Sequence, residues 1–234
     1  MLSKNFYFRF NYLLEKKANI KVILAFTLNS ILHPFLSRKK KKLKKKHQKY
    51  LLKKKLTTDY FSINAYYWGN ILKKFSKISY LEIGSFEGNS ALYVLKNFQT
   101  KKVICVDIWH DKNEPELQER EFKNFKYNLK KFNKRYSMFK GTSDNFFKKN
   151  NNNFDIIYVD GSHESKQVYK DLNNSWYILN NNGILICDDY FYGNIYKKPK
   201  NVPADAINKF ISEKINIKIL CVNNSQIFLK KINS

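Results

Sequence analysis

From residue 78 to residue 231, short apolar runs alternate with longer stretches of helical spacing. Apolar runs bounded by glycine or polar residues predict strands at 78–83, 102–107, 136–139, 154–159, 183–187, 217–222 and 226–231. Between them, apolar residues three and four apart predict helices at 88–97, 114–133, 164–180 and 203–214. Such alternation implies a three-layer α/β domain, a mostly parallel sheet covered on both faces by helices. The last two strands are separated only by Asn223, Asn224 and Ser225, so they should close the sheet as an antiparallel hairpin. No internal repeat is visible, and the asparagine run at 150–153 reads as a polar loop.

Residues 1–56 follow a different pattern. Aromatic and basic residues lead into an apolar run at 20–36, interrupted by Lys21, Asn29 and His33. No small-residue cleavage site follows it, so the pattern is not that of a cleavable signal peptide. The run is also marginal in length for a helix that crosses a bilayer. A dense basic run at 38–46 and more lysines at 53–55 come next. The division expected from this change is a basic, partly apolar helical extension over 1–56 and a domain over 57–234.

Charge follows that division. The formal net charge is +25, which ordinarily suggests a nucleic acid or an anionic membrane as partner. Residues 1–60 hold 17 Lys and Arg against Glu15 and Asp59, a net of +15, which leaves +10 for the other 174 residues. The extension is therefore the basic object. Two readings of it stand: residues 20–55 lying on an anionic membrane surface, or a helical extension whose lysines are only solvated. Lysine greatly outnumbers arginine and Asn, Ile, Phe and Tyr are abundant, as A+T-rich coding would also produce. Cys105, Cys187 and Cys221 each sit in an apolar run without a C-x-x-C pair, so core thiols in a reducing cytoplasm are expected.

The stretch 81–92, LEIGSFEGNSAL, is a strand, a glycine loop and the start of a helix. That arrangement offers backbone N–H groups and a helix N-terminus to a ligand. Asp107 ends the next apolar run, 19 positions beyond Gly88, a spacing that suits a carboxylate on ribose hydroxyls. Gly84-Ser85-Phe86-Glu87-Gly88 lacks the close glycine pair of the dinucleotide fingerprint, so a nucleoside without a diphosphate is expected. Asp160 ends FDIIYVD, and Asp188 with Asp189 ends GILICDD. Carboxylates directly after apolar runs are costly to desolvate, and on neighbouring strands they would converge. Oxygen donors without His or Cys suit Mg²⁺, Mn²⁺ or Ca²⁺ rather than zinc. Asp160 as a helix cap and Asp189 as a turn residue are the structural alternatives.

E-x-G-x-x-x-G followed by a carboxylate-ended strand resembles the first motifs of class I S-adenosylmethionine-dependent methyltransferases. The acidic strand ends are similar to those of the small metal-dependent O-methyltransferases, the catechol O-methyltransferase-like branch. The resemblance covers about 57–231 and implies a Rossmann-like seven-stranded sheet. It places Glu82, Gly84, Ser85, Gly88 and Ser90 around the methionine and ribose of S-adenosylmethionine. Asp107 falls on the ribose hydroxyls, Ile108 or Trp109 against the adenine, and Ser143 with Asp144 near its amino group. It makes Asp160, Asp188 and Asp189 ligands of a divalent cation. Where the catechol enzyme has a lysine base, this chain has His163, an imidazole able to take a hydroxyl proton near neutral pH, with a structural cap or cofactor-loop residue as the alternative reading. His110 would line the cofactor edge or lie in solvent. Tyr66, Tyr67 and Trp68 would either form the acceptor pocket or pack in the core, and Tyr190, Phe191 and Tyr192 are expected near the acceptor as well.

The implied activity is methylation of a hydroxyl on a small molecule or glycan, in the cytoplasm or at the membrane periphery. The competing readings are an RNA methyltransferase using the lysine-rich extension and a non-catalytic, membrane-attached protein of the same fold. Against the first, the N/D-P-P-Y/F motif common in base N-methylation is replaced by Asp160-Gly161-Ser162-His163.

Overall fold

In the computed structural model, which describes residues 4–109 and 115–233, all seven apolar runs are strands. They are β1 (Ile78–Ile83), β2 (Thr100–Asp107), β3 (Ser137–Lys140), β4 (Phe154–Val159), β5 (Leu179–Cys187), β6 (Ile217–Asn223) and β7 (Gln226–Lys231). They form one sheet in the order β3-β2-β1-β4-β5-β7-β6. Pairings β1–β2, β2–β3 and β4–β5 are parallel, whereas β7 runs antiparallel to both β5 and β6. Asn223 pairs with Gln226 across the tight turn, as the short separation requires. β1 and β4 are buried at every position but the second, which explains why both read as unbroken apolar runs.

The helices are α1 (Lys4–Glu15), α2 (Ile20–Leu51), α3 (Ala65–Leu72), α4 (Asn89–Asn97), α5 (Pro115–Leu129), α6 (Ser143–Lys149), α7 (Ser165–Ile178), α8 (Tyr192–Ile195) and α9 (Pro203–Glu213). Two departures from the sequence reading have local causes. The short α6, capped by the Thr142 hydroxyl on Asn145 N–H, carries too few apolar residues to show a period. β5 begins at Leu179, four residues early, because its polar start still pairs with β4 at Phe154. Asn182 turns at φ +63, as asparagine tolerates, and a Cβ on Gly183 would come within 2.9 Å of three neighbouring atoms.

Backbone contacts divide the chain into two compact units, Ser37–Asn152 and Met1–Leu36 with Asn153–Ser234. The boundary between these units falls inside α2, whose two halves carry buried residues in different units. In the first unit His47 is buried, its Nε2 2.8 Å from Asn89 Oδ1 and its ring edge-on to Phe61 and Tyr93. Burial pushes its pKa down. Tyr67 and Trp68 lie in this core too, with Trp68 fully inaccessible.

In the second unit Tyr12, Leu13, Val22 and Phe26 are buried, and Phe26 stacks on Phe6 and tilts against Phe191. Tyr190 and Phe191 are themselves inaccessible, both against Tyr12. Lys16 forms an ion pair with Asp205 at 2.8 Å, and Asn208 joins Tyr190 to the Lys16 carbonyl. Trp68, Tyr190 and Phe191 are thus packing residues: the core alternative holds for Trp68, and the expectation of Tyr190 and Phe191 at the acceptor is corrected, because both are inaccessible beneath α1. Cys105 and Cys187 are buried and Cys221 half-buried, all without disulfides among the described residues.

Gly88 caps α4 at φ +79, and a Cβ there would meet Leu129 Cδ1 at 2.4 Å and Phe125 Cδ2 at 2.9 Å. Gly88→Ala combines a left-handed backbone with overpacking, so urea denaturation should show a loss of about 2–4 kcal/mol.

Candidate active site

In the first unit, β1, β2 and the loop between β1 and α4 build a polar cluster. Tyr80 and Glu82 are two apart on a strand and so share a face. The Tyr80 hydroxyl donates to Glu82 Oε2 at 2.6 Å, and Ser90, on the first turn of α4, donates to the same oxygen at 2.8 Å. Glu82 is completely buried, and burial pushes its pKa up to about 7 against the pull of these hydroxyls. Its Oε1 and the buried Ser85 Oγ make no well-formed hydrogen bond, although the Ser85 hydroxyl and the Cys105 thiol lie close enough to draw the Glu82 pKa down. Polar atoms so weakly satisfied at a strand end, beside a helix N-terminus, are what a polar ligand would satisfy.

Asp107 lies at the end of β2. Its Oδ2 accepts from Phe86 N–H at 2.8 Å and its Oδ1 from Trp109 N–H at 2.9 Å. Burial nonetheless raises its pKa, against the pull of the Trp109 and Phe86 amides. Gly84 N–H donates to the Val106 carbonyl and Gly141 N–H to that of Asp107, which binds the loops after β1 and β3 to the end of β2. Gly84 and Phe86 both have positive φ, +89 and +46, as the tight loop demands. Trp109 is buried against Phe122 and Phe125, whereas Ile108 is 45% exposed, so Ile108 is the apolar side chain open to a ligand here. Ser143 and Asp144 open α6, directly after β3. His110 lies outside the described residues.

A second network was not visible in the sequence. Glu87 is fully buried, and its carboxylate accepts from Thr57 N–H at 2.6 Å and from Asn124 at 2.7 Å. Asn128 donates to the carbonyls of Glu87 and Lys55 and accepts from Lys55 N–H. The segment at 54–57 is thereby tied to the glycine loop. No local pattern points to Asn124 or Asn128, since both lie on a helix otherwise read by its apolar spacing.

In the second unit, Tyr158 and Asp160 repeat the spacing of Tyr80 and Glu82. The Tyr158 hydroxyl lies 2.7 Å from Asp160 Oδ2 and 2.5 Å from Asp188 Oδ2. Gln226, opening β7, donates to Asp188 Oδ2 at 2.7 Å, and Asp189 N–H donates to Asp188 Oδ1 at 2.7 Å. Asp160 and Asp188 do converge. The two carboxylates share the single phenol proton, and the Gln226 amide gives Asp188 a second donor. Burial, then the Asp189 charge, pushes Asp188 up to about 6.

Asp189 takes another direction. At φ +57, it places Oδ2 2.7 Å from His163 Nε2. The His163 ring stacks on Tyr192, centroids 4.3 Å apart and planes within 7°. A carboxylate accepts only, so this bond puts the proton on Nε2 and leaves Nδ1 as the basic nitrogen. The donor chemistry of the three carboxylates suits a hard divalent cation, but Asp189 is committed to His163. Among the described residues no group of three or more His, Cys, Asp or Glu is placed to hold a metal ion.

The Glu82 shift has a testable consequence. Its folded pKa of about 7 lies above the ordinary 4.5, so the folded chain binds the extra proton between those values. Stability from this group is complete below about 4.5 and is lost as pH rises through about 7. Urea midpoints of the ligand-free protein should fall relative to Glu82→Gln across that window, by roughly 1–3 kcal/mol in all. A pH-independent difference would mean that Glu82 is ionised throughout.

Residues 81–190 match the model of a family described as a methyltransferase domain. Uncharacterized protein R132 of Acanthamoeba polyphaga mimivirus is 28% identical over 165 residues, covering 65% of this chain and 69% of that protein. The methyltransferase PaMTH1 of Podospora anserina, solved with SAH bound, has a TM-score of 0.57 at 16% identity, covering 88% of this chain and 97% of its own. An O-methyltransferase from Bacillus cereus, in complex with SAH, gives 0.54 at 10% identity over 88% and 97%. Such low identities speak for the fold alone. The family match begins inside β1 and ends just past Asp189, so the stretch that holds the glycine loop and both acidic strand ends is similar to a methyltransferase domain, in keeping with the class I S-adenosylmethionine-dependent reading of its motifs.

Proposed function

We propose that the enzyme methylates a hydroxyl oxygen of a small molecule or glycan, with His163 as general base. The observation that carries this reading is the His163–Asp189 pair at 2.7 Å, with the imidazole stacked flat on Tyr192. A base oriented by a carboxylate and braced by a ring is an arrangement for taking one proton from one direction. The Asp189 charge stabilises the imidazolium formed when Nδ1 takes the proton. The bond formed joins acceptor oxygen to methyl carbon; the bond broken is carbon to sulfur, and its electron pair stays on sulfur.

S-adenosylmethionine, when bound, supplies the electrophilic methyl on a sulfonium. Glu82, Gly84, Ser85, Gly88 and Ser90 would hold its methionine and ribose, and the weakly satisfied Glu82 Oε1 and Ser85 Oγ support that placement. Asp107 has lone pairs left for ribose hydroxyls, but its first work is to hold the Phe86 and Trp109 amides. Ile108, Ser143 and Asp144 would meet the adenine. Asp160 and Asp188, which meet at the Tyr158 hydroxyl, would be the carboxylates left to hold a divalent cation, which would lower the pKa of a bound hydroxyl, while Asp189 stays with His163. The chain's own task is then alignment, which accounts for most of the acceleration in an in-line displacement.

His163→Ala should lower methyl transfer by roughly 10²–10⁴-fold while calorimetric affinity for S-adenosylmethionine stays within about twofold. Unchanged turnover would remove His163 from the mechanism. Asp160→Asn and Asp188→Asn should each abolish Mn²⁺ binding read by electron paramagnetic resonance, and EDTA should abolish turnover. Full activity in EDTA would leave the His163–Asp189 pair as the only means of activating the acceptor.

A further inference from the structure

We propose that α2 docks the enzyme onto an anionic lipid surface, lying along it rather than crossing it. The basis is the distribution of apolar side chains around the first half of the helix. Ile20, Leu24, Leu28, Ile31, Leu32 and Phe35 are between 42% and 82% exposed. Their spacings of four, four, three, one and three residues place them on one face at 3.6 residues per turn. A continuous exposed stripe of large aliphatic and aromatic residues is not a water-facing surface.

The opposite face is already occupied. Val22 and Phe26 are buried, Phe26 on Phe6 and Phe191, and Asn29 donates to the Val222 carbonyl at 2.9 Å. By length and composition alone α2 could cross a bilayer, since one 18-residue window reaches a mean hydropathy of 1.4 with 11% of it buried. Spanning would strip Phe26 and Asn29 from the β-sheet unit and carry Lys21, Asn29 and Ser30 into hydrocarbon. Lying on the surface keeps those contacts and covers only the stripe.

The chemistry of the surface comes from the residues that follow. Arg38, Lys39, Lys41, Lys42, Lys45 and Lys46 are exposed on the same continuous helix. No acidic residue occurs between Glu15 and Asp59 to offset them. Apolar residues followed at once by a polybasic run match the two parts of an anionic bilayer, acyl chains and headgroup phosphates or carboxylates. An RNA would use the lysines but leave the stripe bare. Neither half depends on which hydroxyl the enzyme methylates.

The test is flotation of the full chain with vesicles of phosphatidylcholine alone or with phosphatidylserine added. The wild type should float with the phosphatidylserine vesicles, and high salt or their omission should lower the bound fraction roughly tenfold or more. Leu24→Glu/Leu28→Glu/Phe35→Glu changes exposed positions only, so circular dichroism should be unchanged while flotation falls by a similar factor. Alkaline carbonate should release the wild type. The proposal fails if the triple variant floats like the wild type. It fails if carbonate leaves the protein in the vesicles, because that protein spans them. It fails equally if wild type does not float but binds a short RNA, or associates with itself through the stripe.

Discussion

The carboxylate of Asp107 is the point on which the nucleoside side of this protein depends. The loop after β1 must turn sharply enough to start α4, and its backbone amides then face inward without partners of their own. Asp107 accepts one of them, from Phe86, and with its other oxygen takes the Trp109 N–H just past β2, and so joins the loop to the strand end beside it. The Gly84 and Gly141 amides complete the junction on the carbonyls of Val106 and Asp107. An unsatisfied buried amide costs on the order of 1–3 kcal/mol, so the loop has one well-determined shape. That shape leaves Glu82 Oε1 and Ser85 Oγ weakly satisfied, the polar atoms left over for a ligand.

The same device recurs at the end of β4. In both strands a tyrosine two residues before the terminal acid turns its hydroxyl onto that acid, Tyr80 to Glu82 and Tyr158 to Asp160. A carboxylate at the rim of an apolar sheet lacks water, and the phenol on the same face supplies the hydrogen bond. At β4 the hydroxyl also meets Asp188, so two acids share one proton donor while Gln226 braces the second. Burial, then the Asp189 charge, raises Asp188 against the pull of Tyr158 and Gln226, whereas Asp189, turned out at positive φ, is drawn off to His163. Adjacent acids at one strand end thus take separate parts, one in a proton-poor cluster and one behind an imidazole.

The N-terminal helices show how packing and composition part company. Their lysines set the net charge, yet Lys16 is an ion-pair partner of Asp205 and His47 is a core residue. Phe191 and Trp68, which stood as candidates for an acceptor pocket, instead anchor α1 and α2 or fill the core around α3. An aromatic residue has the same letter in either role, and only its neighbours decide which it takes.

The sequence by itself determined the sheet, because strands buried on both faces must be apolar throughout and bounded by residues that turn the chain. Limits of 78–83, 154–159 and 226–231 could be read directly. It determined the glycine loop, since positive φ and the absence of a Cβ are properties of single residues, and it marked Asp107, Asp160, Asp188 and Asp189 because acids stand out after apolar runs. Tertiary structure alone decided what those acids touch. The Asp189–His163 contact spans 26 positions and that of Gln226 with Asp188 spans 38, and no periodicity encodes either. Glu87 and Asn128, the weakly satisfied atoms of Glu82 and Ser85, and the two opposite apolar faces of α2 likewise exist only once distant segments meet. Local patterns report the conformation of a segment, whereas hydrogen-bond partners and exposure belong to pairs of segments that the chain brings together only on folding.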